Sequence, residues 1–295
     1  MADNLERTQA RLDNICGVEP LLGALRTISL GSWHAALNRK TIVTRYREHI
    51  AGLLPYLAPH ILTNRLVQGR TTATSSSVVA LVIGSERGLC GRFNAAIAEF
   101  ADQYLARQEL NGVRVELWVL GSRVVRILER RQHPISWSSP LSATSPPPYR
   151  LAYDLVRYWL STYERGNLDA VDVLYNVHLN AGRDMPSVAR LLPLQIELVG
   201  QTWSDEPWPP PIIETESRGL VARTIEQLLA SVLYESLLNS SVAEHSARYQ
   251  LMEEAEANIK RLSAELTMEV QMARRNLITQ EMQELATGAG MIKSR

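Results

Sequence analysis

The segment with the most chemical potential is residues 84–94, GSERGLCGRFN, which combines three glycines with a serine, two arginines and a cysteine. It follows an apolar β-type run and precedes a helical pattern, which is where nucleotide-binding loops meet a helix N-terminus. However, Gly84, Gly88 and Gly91 do not form G-x-G-x-x-G, and no Lys-Ser or Lys-Thr pair follows as in a P-loop. The spacing therefore favours a tight turn that needs glycine over a phosphate site.

Cys90 lies in this turn near a predicted helix N-terminus, a position that can lower a thiol pKa and create a nucleophile. No histidine can be placed beside it, so a small, packed cysteine is the preferred interpretation. Neither H-x-x-x-H nor C-x-x-C spacing occurs, and there is no G-x-S-x-G motif. The sequence therefore predicts no catalytic residue, no cofactor site and no metal site. The dispersed histidines are His34, His49, His60, His133, His178 and His245.

The elements around the turn alternate between strands and helices. SSSVVALVIG predicts a strand before the turn, and an amphipathic stretch predicts a helix after it. The pattern then predicts a strand at 113–120, a helix at 122–131, a Ser/Pro-rich connection at 136–148, a helix at 149–165, and strands in AVDVLYNVHL and LLPLQIELV. This alternation indicates a layered α/β domain whose parallel crossovers are right-handed.

The C-terminal pattern, residues 217–286, contains no proline, which predicts one helix of about 70 residues and about 105 Å. Such a helix is longer than a domain core, so its apolar seam must be covered by another helix. Four methionines, Met252, Met268, Met272 and Met282, are interpreted as packing residues rather than a partner surface. The seam residues are Ile225, Leu228, Val232, Met252, Ala255, Ile259, Leu262, Leu266, Ala273 and Leu277.

The N-terminal sixty residues supply the covering helix, since their apolar residues recur in steps of three and four. Pro20 predicts a kink or local break in this helix. An antiparallel coiled coil of the two termini, with the α/β domain inserted between them, accounts for both patterns. The predicted domains are 1–65, 75–205 and 212–295, with a stiff linker in DEPWPPPIIE. The apolar N-terminal positions are Leu5, Leu12, Ile15, Val18, Leu22, Leu25 and Ile28.

Composition narrows the class of protein further. The 295 residues include 31 basic and 31 acidic side chains, and 45% are hydrophobic, as in ordinary globular proteins. The scattered, balanced charge argues against nucleic acid as a partner. No apolar run is long enough to span a membrane, the N-terminus is polar rather than signal-like, and the 2 cysteines suggest a reducing compartment, so a cytoplasmic location is expected.

Two segments resemble the γ subunit of F-type ATP synthases. SERGLCGRFN is similar to the family's S-D-R-G-L-C-G-G-F-N, and residues 236–290 contain its S-x-x-x-E-H-x-x-R-x-x-x-M signature and its A-R-x-x-x-I-T-x-E ending. Weaker similarity covers WVLGSRV and LYNVHLNAGRDMPSVARLLPL. The resemblance extends over nearly the whole chain in the same order. It implies an α/β fold in which a Rossmann-like domain lies between two long terminal helices that form an antiparallel coiled coil.

The resemblance implies a non-catalytic rotor shaft, or central stalk, in a proton-translocating complex that makes ATP. Its implied partners are the α and β subunits, the ε subunit and the membrane-embedded c-ring. The shaft turns with the c-ring and drives conformational change in the αβ ring. The implied location is peripheral, on the cytoplasmic face of the inner (plasma) membrane.

The family's contact residues carry over to particular positions of this sequence. Arg274, Arg275, Thr279 and Glu281 are the implied polar contacts to the αβ ring, and Ile292 and the tail after it form the implied tip. The turn implied to face the moving β-subunit lever is formed by Ser85, Arg87, Gly88, Leu89, Cys90, Gly91, Phe93 and Asn94.

The chain also departs from the family pattern. Glu86 stands for the usual Asp, Arg92 for a Gly and Arg275 for a Gln. In the first helix Pro20 stands for an Asn, Gly23 for a Lys and Gly31 for a Val.

These N-terminal departures motivate an alternative function, a divergent γ-like paralogue that acts as a stand-alone scaffold or regulator. A third hypothesis, a small-ligand enzyme built on the α/β domain, requires a pocket of convergent polar groups that the sequence does not indicate.

Overall fold

The computed structural model describes residues 2–54, 56–57, 77–180, 183–194 and 217–288. Two long helices lie at the termini, α1 (Ala2–Ala51) and α5 (Ser217–Gly288). Between them lie β1 (Ser77–Ile83), α2 (Phe93–Leu110), β2 (Arg114–Leu120), α3 (Ser122–Arg130), β3 (Ile135–Ser139), α4 (Tyr149–Glu164), β4 (Ala170–Asn180) and β5 (Arg183–Leu192). The chain divides into two compact units, residues 1–28 with 249–295, and residues 29–248.

The 29–248 unit contains a five-stranded sheet of order β3-β2-β1-β4-β5. β1 pairs in parallel with β2 and β4, β2 pairs in parallel with β3, and only the β4–β5 pair is antiparallel. Parallel strands need crossover connections, which α2, α3 and α4 supply. The central strand β1 is apolar from Val78 to Ile83 because both of its faces are covered.

Alternate residues of β1 belong to two separate cores. Val79, Leu81 and Ile83 pack in a cluster with residues of α4 and α5, including Trp159 and Leu229. On the opposite face, the intervening Ala80 and Val82 pack with residues of α2 and α3. The two-residue period of a strand thus places helices on both sides of the sheet, as the predicted layered α/β domain requires.

Residues 29–51 of α1 and the first part of α5 also pair within this unit. The Glu235 carboxylate accepts a hydrogen bond from the Thr44 hydroxyl at 3.1 Å and forms an ion pair with Arg47 at 2.8 Å. The Tyr46 hydroxyl donates a hydrogen bond to the Gln227 side chain at 3.3 Å. Other side chains of α5 in this unit, including Leu228, Leu229 and Leu233, are buried in the same core cluster as residues of β1. Their burial explains why most residues between Leu228 and Ala243 are apolar or small.

The other unit is formed by the N-terminal part of α1 and the C-terminal part of α5. Gln9 accepts a hydrogen bond from Arg274 at 3.2 Å, Cys16 contacts Ser263 at 3.6 Å, and Arg26 pairs with Glu256 at 3.1 Å. Partner numbers fall along one helix as they rise along the other, so the helices are antiparallel. The predicted antiparallel pairing of the termini is confirmed within this unit.

The seam of this helix pair differs in detail from the predicted set. Val18, Ile28 and Leu262 are exposed. On α5 the covered positions include Met252 and, seven residues later, Ile259, followed in alternating steps of four and three by Ser263, Leu266, Val270, Ala273 and Leu277. A heptad repeat therefore places Ser263 rather than Leu262 in the seam.

Three expectations about elements need correction. α1 is continuous through Pro20, so the predicted local break is wrong. β3 lies where a Ser/Pro-rich connection was expected, and its alternating burial shows why a strand forms there. β5 lies almost entirely before the strand predicted in LLPLQIELV, which begins at residue 191, because antiparallel pairing with β4 satisfies the backbone of the preceding residues. The predicted domain boundaries, the Pro-rich linker and residues 195–199 of the last predicted strand lie outside the described residues, as does Ile292.

In the described ranges, no helix combines the length and the apolarity needed to cross a membrane.

Candidate functional site

The predicted turn connects the end of β1 to the start of α2, as expected from the sequence. Gly84 is required there, because a Cβ at this position would lie 2.3 Å from a methyl carbon of Val124. Gly91 has a φ of +56°, in the left-handed region that favours glycine. Gly88 meets no such restriction, since a Cβ would find its nearest atom in the Arg123 side chain at 3.6 Å. Glycine is therefore needed at two of the three positions.

Asn94 organises the inside of the turn. Its Oδ1 accepts a hydrogen bond from the Ser85 backbone N–H at 3.0 Å, and its Nδ2 donates to Ser85 Oγ at 2.7 Å and to Cys90 Sγ at 3.2 Å. The Ser85 hydroxyl donates in turn to the Arg87 carbonyl at 2.6 Å. All three side chains are buried, so the structure brings Ser85, Cys90 and Asn94 together as one internal network.

Cys90 is the packed cysteine that was preferred from the sequence. Its side chain is 2% exposed and lies in a small apolar cluster with Phe93 and Ala243. Burial raises the pKa of the thiol above its ordinary value, which disfavours the thiolate needed for nucleophilic attack.

Glu86 links the turn to helix α3. Its carboxylate accepts hydrogen bonds from the Ser122 backbone N–H at 3.1 Å, the Ser122 hydroxyl at 2.6 Å and the Leu141 backbone N–H at 3.1 Å. Burial opposes ionisation, but these hydrogen bonds and the charge of Arg126 outweigh it and lower the carboxyl pKa. The α3 N-terminus, a natural anion site, is thus occupied by the protein's own carboxylate. This arrangement argues against a phosphate ligand at the turn.

Helix α5 holds the other side of the turn through Arg248. Its guanidinium donates to the carbonyls of Gly88 at 3.3 Å and Arg87 at 3.4 Å, and to Glu244 Oε1 at 2.6 Å. It also donates at 3.1 Å to Nδ1 of His245, which is therefore an acceptor, so the imidazole is neutral with its proton on Nε2. Arg248, Glu244 and His245 are all buried.

Burial shifts the pKa values of Glu244 and His245, the two α5 residues that contact Arg248. Desolvation raises the pKa of Glu244, and the charge of Arg248 opposes that rise without cancelling it. Desolvation and the Arg248 charge together lower the pKa of His245 to about 4. His245 therefore stays neutral at physiological pH and belongs to a buried, hydrogen-bonded polar cluster.

The sequence patterns did not identify Glu244, His245 and Arg248 as site residues. Their signal was present, because they are the polar members of the S-x-x-x-E-H-x-x-R-x-x-x-M signature at residues 240–252. The signature identified the helix without showing that its polar residues bind the turn. Of the predicted turn residues, Arg87 is exposed and Gly88 is half-buried, and Leu89 is 59% exposed. Arg92 is exposed as well, so the turn presents three side chains outward from a rigid base.

The predicted contact residues on α5 lie on the exposed face of the terminal helix pair. Arg274 bonds to Gln9, the Thr279 hydroxyl donates to the Arg275 carbonyl at 2.8 Å, and Glu281 is exposed. Arg275 and Thr279 share a face with three methionines, since the positions follow one another in steps of four and three. These methionines are Met268, Met272 and Met282.

The interpretation of the methionines as packing residues is right for one of four. Met252 is 2% exposed, whereas Met268, Met272 and Met282 are 54%, 61% and 66% exposed. Ile278 and Leu285 add to this apolar outer face at 55% and 73% exposure. The outer face of an isolated helix pair is normally polar, so this surface is suited to a partner.

Comparisons with known proteins agree over the length of the chain. A family model described as ATP synthase matches residues 4–291. The chain belongs to the ATP synthase family. The ATP synthase gamma chain of Rubrobacter xylanophilus is 26% identical over 291 residues, which cover 97% of each chain. That of Frankia casuarinae is 24% identical and covers 100% of this chain and 99% of its own length.

Solved structures support the fold of this ATP synthase family member. A chain from the Euglena gracilis mitochondrial ATP synthase, in an OSCP/F1/c-ring structure, superposes with a TM-score of 0.64 at 16% identity, covering 100% of this chain and 98% of its own. A central stalk/c-ring structure from Tetrahymena thermophila gives a TM-score of 0.56 at 22% identity, covering 80% of this chain and 99% of the other.

Two departures from the ATP synthase γ pattern have a structural explanation. Arg92 has a φ of −83°, so this position does not require the usual glycine. Glu86 fills the place of an Asp and spans to both Ser122 and Leu141. Both replacements are compatible with the turn.

Proposed function

We propose that this chain is the γ subunit of an F-type ATP synthase, the central stalk that couples rotation of a c-ring to conformational change in the catalytic αβ ring. The observation that carries the proposal is the match to the ATP synthase family over residues 4–291. An antiparallel pair of long terminal helices and an α/β unit are the parts that such a shaft needs. In this function the chain performs no catalysis itself, and ATP chemistry belongs to its partners.

The exposed face of the terminal helix pair is the proposed contact with the αβ ring. Met272, Ile278 and Met282 offer apolar, adaptable surface, and the exposed Arg274, Arg275, Thr279 and Glu281 supply polar contacts beside it. An apolar surface can slide past successive partners, whereas a few charge-assisted hydrogen bonds give the rotor defined resting positions. Each such bond is worth about 1.5–3 kcal/mol when it is shielded from water.

The 84–94 turn is the proposed contact with the β-subunit lever. It is held by β1, by α3 through Glu86 and by α5 through Arg248, so a force on the exposed Arg87 passes directly to the long helix. This rigidity supports a mechanical rather than a ligand-binding function for the turn. The same complex places the α/β unit beside the ε subunit and the c-ring, with the chain peripheral on the cytoplasmic face of the membrane.

Co-expression with the α and β subunits of the same genome tests the proposal. We expect a complex with one copy of this chain per three αβ pairs that hydrolyses ATP. If α and β form a complex that excludes this chain although it is folded, the rotor function is wrong and the stand-alone scaffold becomes the preferred function.

The contact residues are tested in the same complex after reconstitution with the membrane sector. Arg274→Ala should leave the chain folded and reduce proton pumping per ATP hydrolysed. Arg107→Ala, which removes a surface arginine from α2 in the α/β unit, is the matched control. Equal pumping by wild type and Arg274→Ala removes Arg274 from the contact set.

A further inference from the structure

A cleft of about 500 Å³ opens between strands β2 and β3 and helix α4, and no residue of the 84–94 turn lines it. Its walls include three aromatic rings, Trp118, Trp137 and Tyr158, and two carboxylates, Glu116 and Asp154. Neither the turn nor the contact face of the terminal helices uses this cleft.

The aromatic rings form a connected wall. Trp118 lies opposite Trp137 in the β2–β3 pairing, with ring centres 4.8 Å apart, and its ring centre is 5.5 Å from that of Tyr158. Trp118 is buried, Trp137 is half-buried and Tyr158 is 55% exposed, so the outer two rings are accessible. A cation within about 6 Å of such ring centres is attracted by their π-electron faces.

The charge of the cleft favours the same class of ligand. Glu116 precedes Trp118 by two residues and so projects from the same face of β2; it is half-buried, and no described residue pairs with its carboxylate. Asp154 pairs with the exposed Arg150 at 3.4 Å. Among the described residues that line the cleft, none is basic. A half-buried, unpaired carboxylate beside aromatic rings can pair with a positive group that enters the cleft.

The cleft adjoins strand β3 at the edge of the sheet, which indicates what kind of molecule carries the positive group. β3 is the end strand of the sheet order, so one of its edges has no partner strand among those described. An extended segment of another protein can hydrogen-bond to such an edge and direct a side chain into an adjacent pocket.

We propose that this cleft binds an arginine side chain of a partner protein, with the guanidinium against Trp137 and Tyr158 and paired with Glu116. Arginine fits better than lysine, because its planar guanidinium can stack on a ring and pair with a carboxylate at the same time. The binding requires only the 29–248 unit and does not depend on the proposed function.

The experiment uses the full-length chain with ¹⁵N-labelled tryptophan, and follows the indole N–H signals by NMR. The probe is a blocked Gly-Ser-Arg-Ser-Gly peptide, and the control peptide carries citrulline, the uncharged isostere of arginine. Trp137→Phe assigns the Trp137 signal. We expect the arginine peptide, and not the citrulline peptide, to shift the Trp118 and Trp137 signals saturably.

Two variants distinguish a specific contact with Glu116 from a general effect of net charge. Glu116→Gln should weaken binding by at least about threefold, as expected for loss of a partly exposed charge pair. Glu129→Gln, the same change on an exposed position of α3, should leave affinity unchanged. Each variant must first give the wild-type indole spectrum in the absence of peptide.

Three results would overturn the proposal. One is the absence of a saturable shift up to about 50 mM peptide, since specific binding is then not detectable. Another is equal weakening by Glu116→Gln and Glu129→Gln, which reduces the effect to net charge. The third is binding of methylguanidinium as tight as that of the peptide, because the β3 edge then contributes nothing and a polypeptide partner is not indicated.

Discussion

Replacing Arg248 with methionine removes the guanidinium that holds the 84–94 turn to α5 while keeping most of the side-chain length. The change leaves Glu244 buried without its cation, at 9% exposure, and leaves the carbonyls of Arg87 and Gly88 without this donor. We expect the unit formed by residues 29–248 to lose stability, because a buried charge without a partner is among the most unfavourable groups in a protein.

The magnitude follows from the burial of the pair. Breaking a buried ion pair by removing one partner costs about 3–5 kcal/mol, out of a total stability of about 5–15 kcal/mol for a typical protein. The loss should be smaller at pH 5 than at pH 8. Without Arg248 the already raised pKa of Glu244 rises further, so the folded state takes up a proton, and the stability lost at pH 8 returns as the pH falls.

Urea denaturation followed by tryptophan fluorescence measures the effect, because Trp118 and Trp159 lie in the core of this unit. Arg150→Met is the matched control. Arg150 also pairs with an acid four residues along its helix, but both side chains are mainly exposed at 88% and 60%. This variant should lose no more than about 0.5 kcal/mol.

A double variant, Glu244→Gln with Arg248→Met, shows whether the unpaired charge is the cause. It should be more stable than Arg248→Met alone by about 1–3 kcal/mol, since a neutral amide is less costly to bury than a carboxylate. Equal urea midpoints for Arg248→Met and Arg150→Met would show that the buried ion pair does not stabilise the unit more than an exposed one. A double variant no more stable than Arg248→Met would show that the unpaired charge is not the cause.

Three further predictions concern single residues. Pro20→Ala should raise the stability of the terminal helix pair by about 1–3 kcal/mol, because an exposed proline inside a continuous helix withholds one backbone hydrogen bond; an unchanged melting temperature and circular dichroism signal would show that the helix does not form there. Between pH 7 and pH 5, His245 should account for about 2 kcal/mol of the decrease in the wild-type free energy of unfolding, and His245→Asn should abolish that part of the decrease. In folded wild type the pKa of His245 is about 4, below its ordinary value of 6.5, so on acidification the unfolded state binds the proton first and the folded state loses stability. Parallel curves of unfolding free energy against pH for the two proteins would contradict this. Gly84→Ala should lose about 1–3 kcal/mol from its clash with Val124, whereas Gly88→Ala, which meets only the Arg123 side chain, should lose less; equal losses in thermal melts would mean that the clash is relieved elsewhere.

Much of the fold was predictable because local periodicity reflects burial directly. The predicted helices at 122–131 and 149–165 correspond to α3 and α4 within one residue at each end, and the terminal helices follow their heptad steps. β3 was missed because ISWSS is short, serine-rich and half-exposed, which resembles a loop. β5 was missed because its pattern is set by pairing with β4 at the sheet edge rather than by burial of both faces.

The interior of the site was less predictable than its position. The glycine spacing correctly indicated a tight turn, and the isolated cysteine correctly indicated packing. The sequence could not show that Arg248, some 160 residues beyond Gly88, donates to its carbonyl, because such a contact depends on where α5 crosses the sheet. The exposed methionines were predicted to be packed for a related reason. An apolar residue in a helix is expected to be buried unless the position of the partner helix shows that it faces outward.

The buried contacts of the turn also explain which departures from the family pattern it accommodates. Arg92 lies at an ordinary φ and its side chain is exposed, and Glu86 keeps the hydrogen bonds to α3. Neither change touches Asn94, Ser85 or Arg248, which fix the backbone. Outward positions of the turn can therefore vary to suit a partner, while the inner network keeps the turn fixed to α5. If the turn transmits force as proposed above, that transmission depends on this network rather than on the number of glycines in the motif.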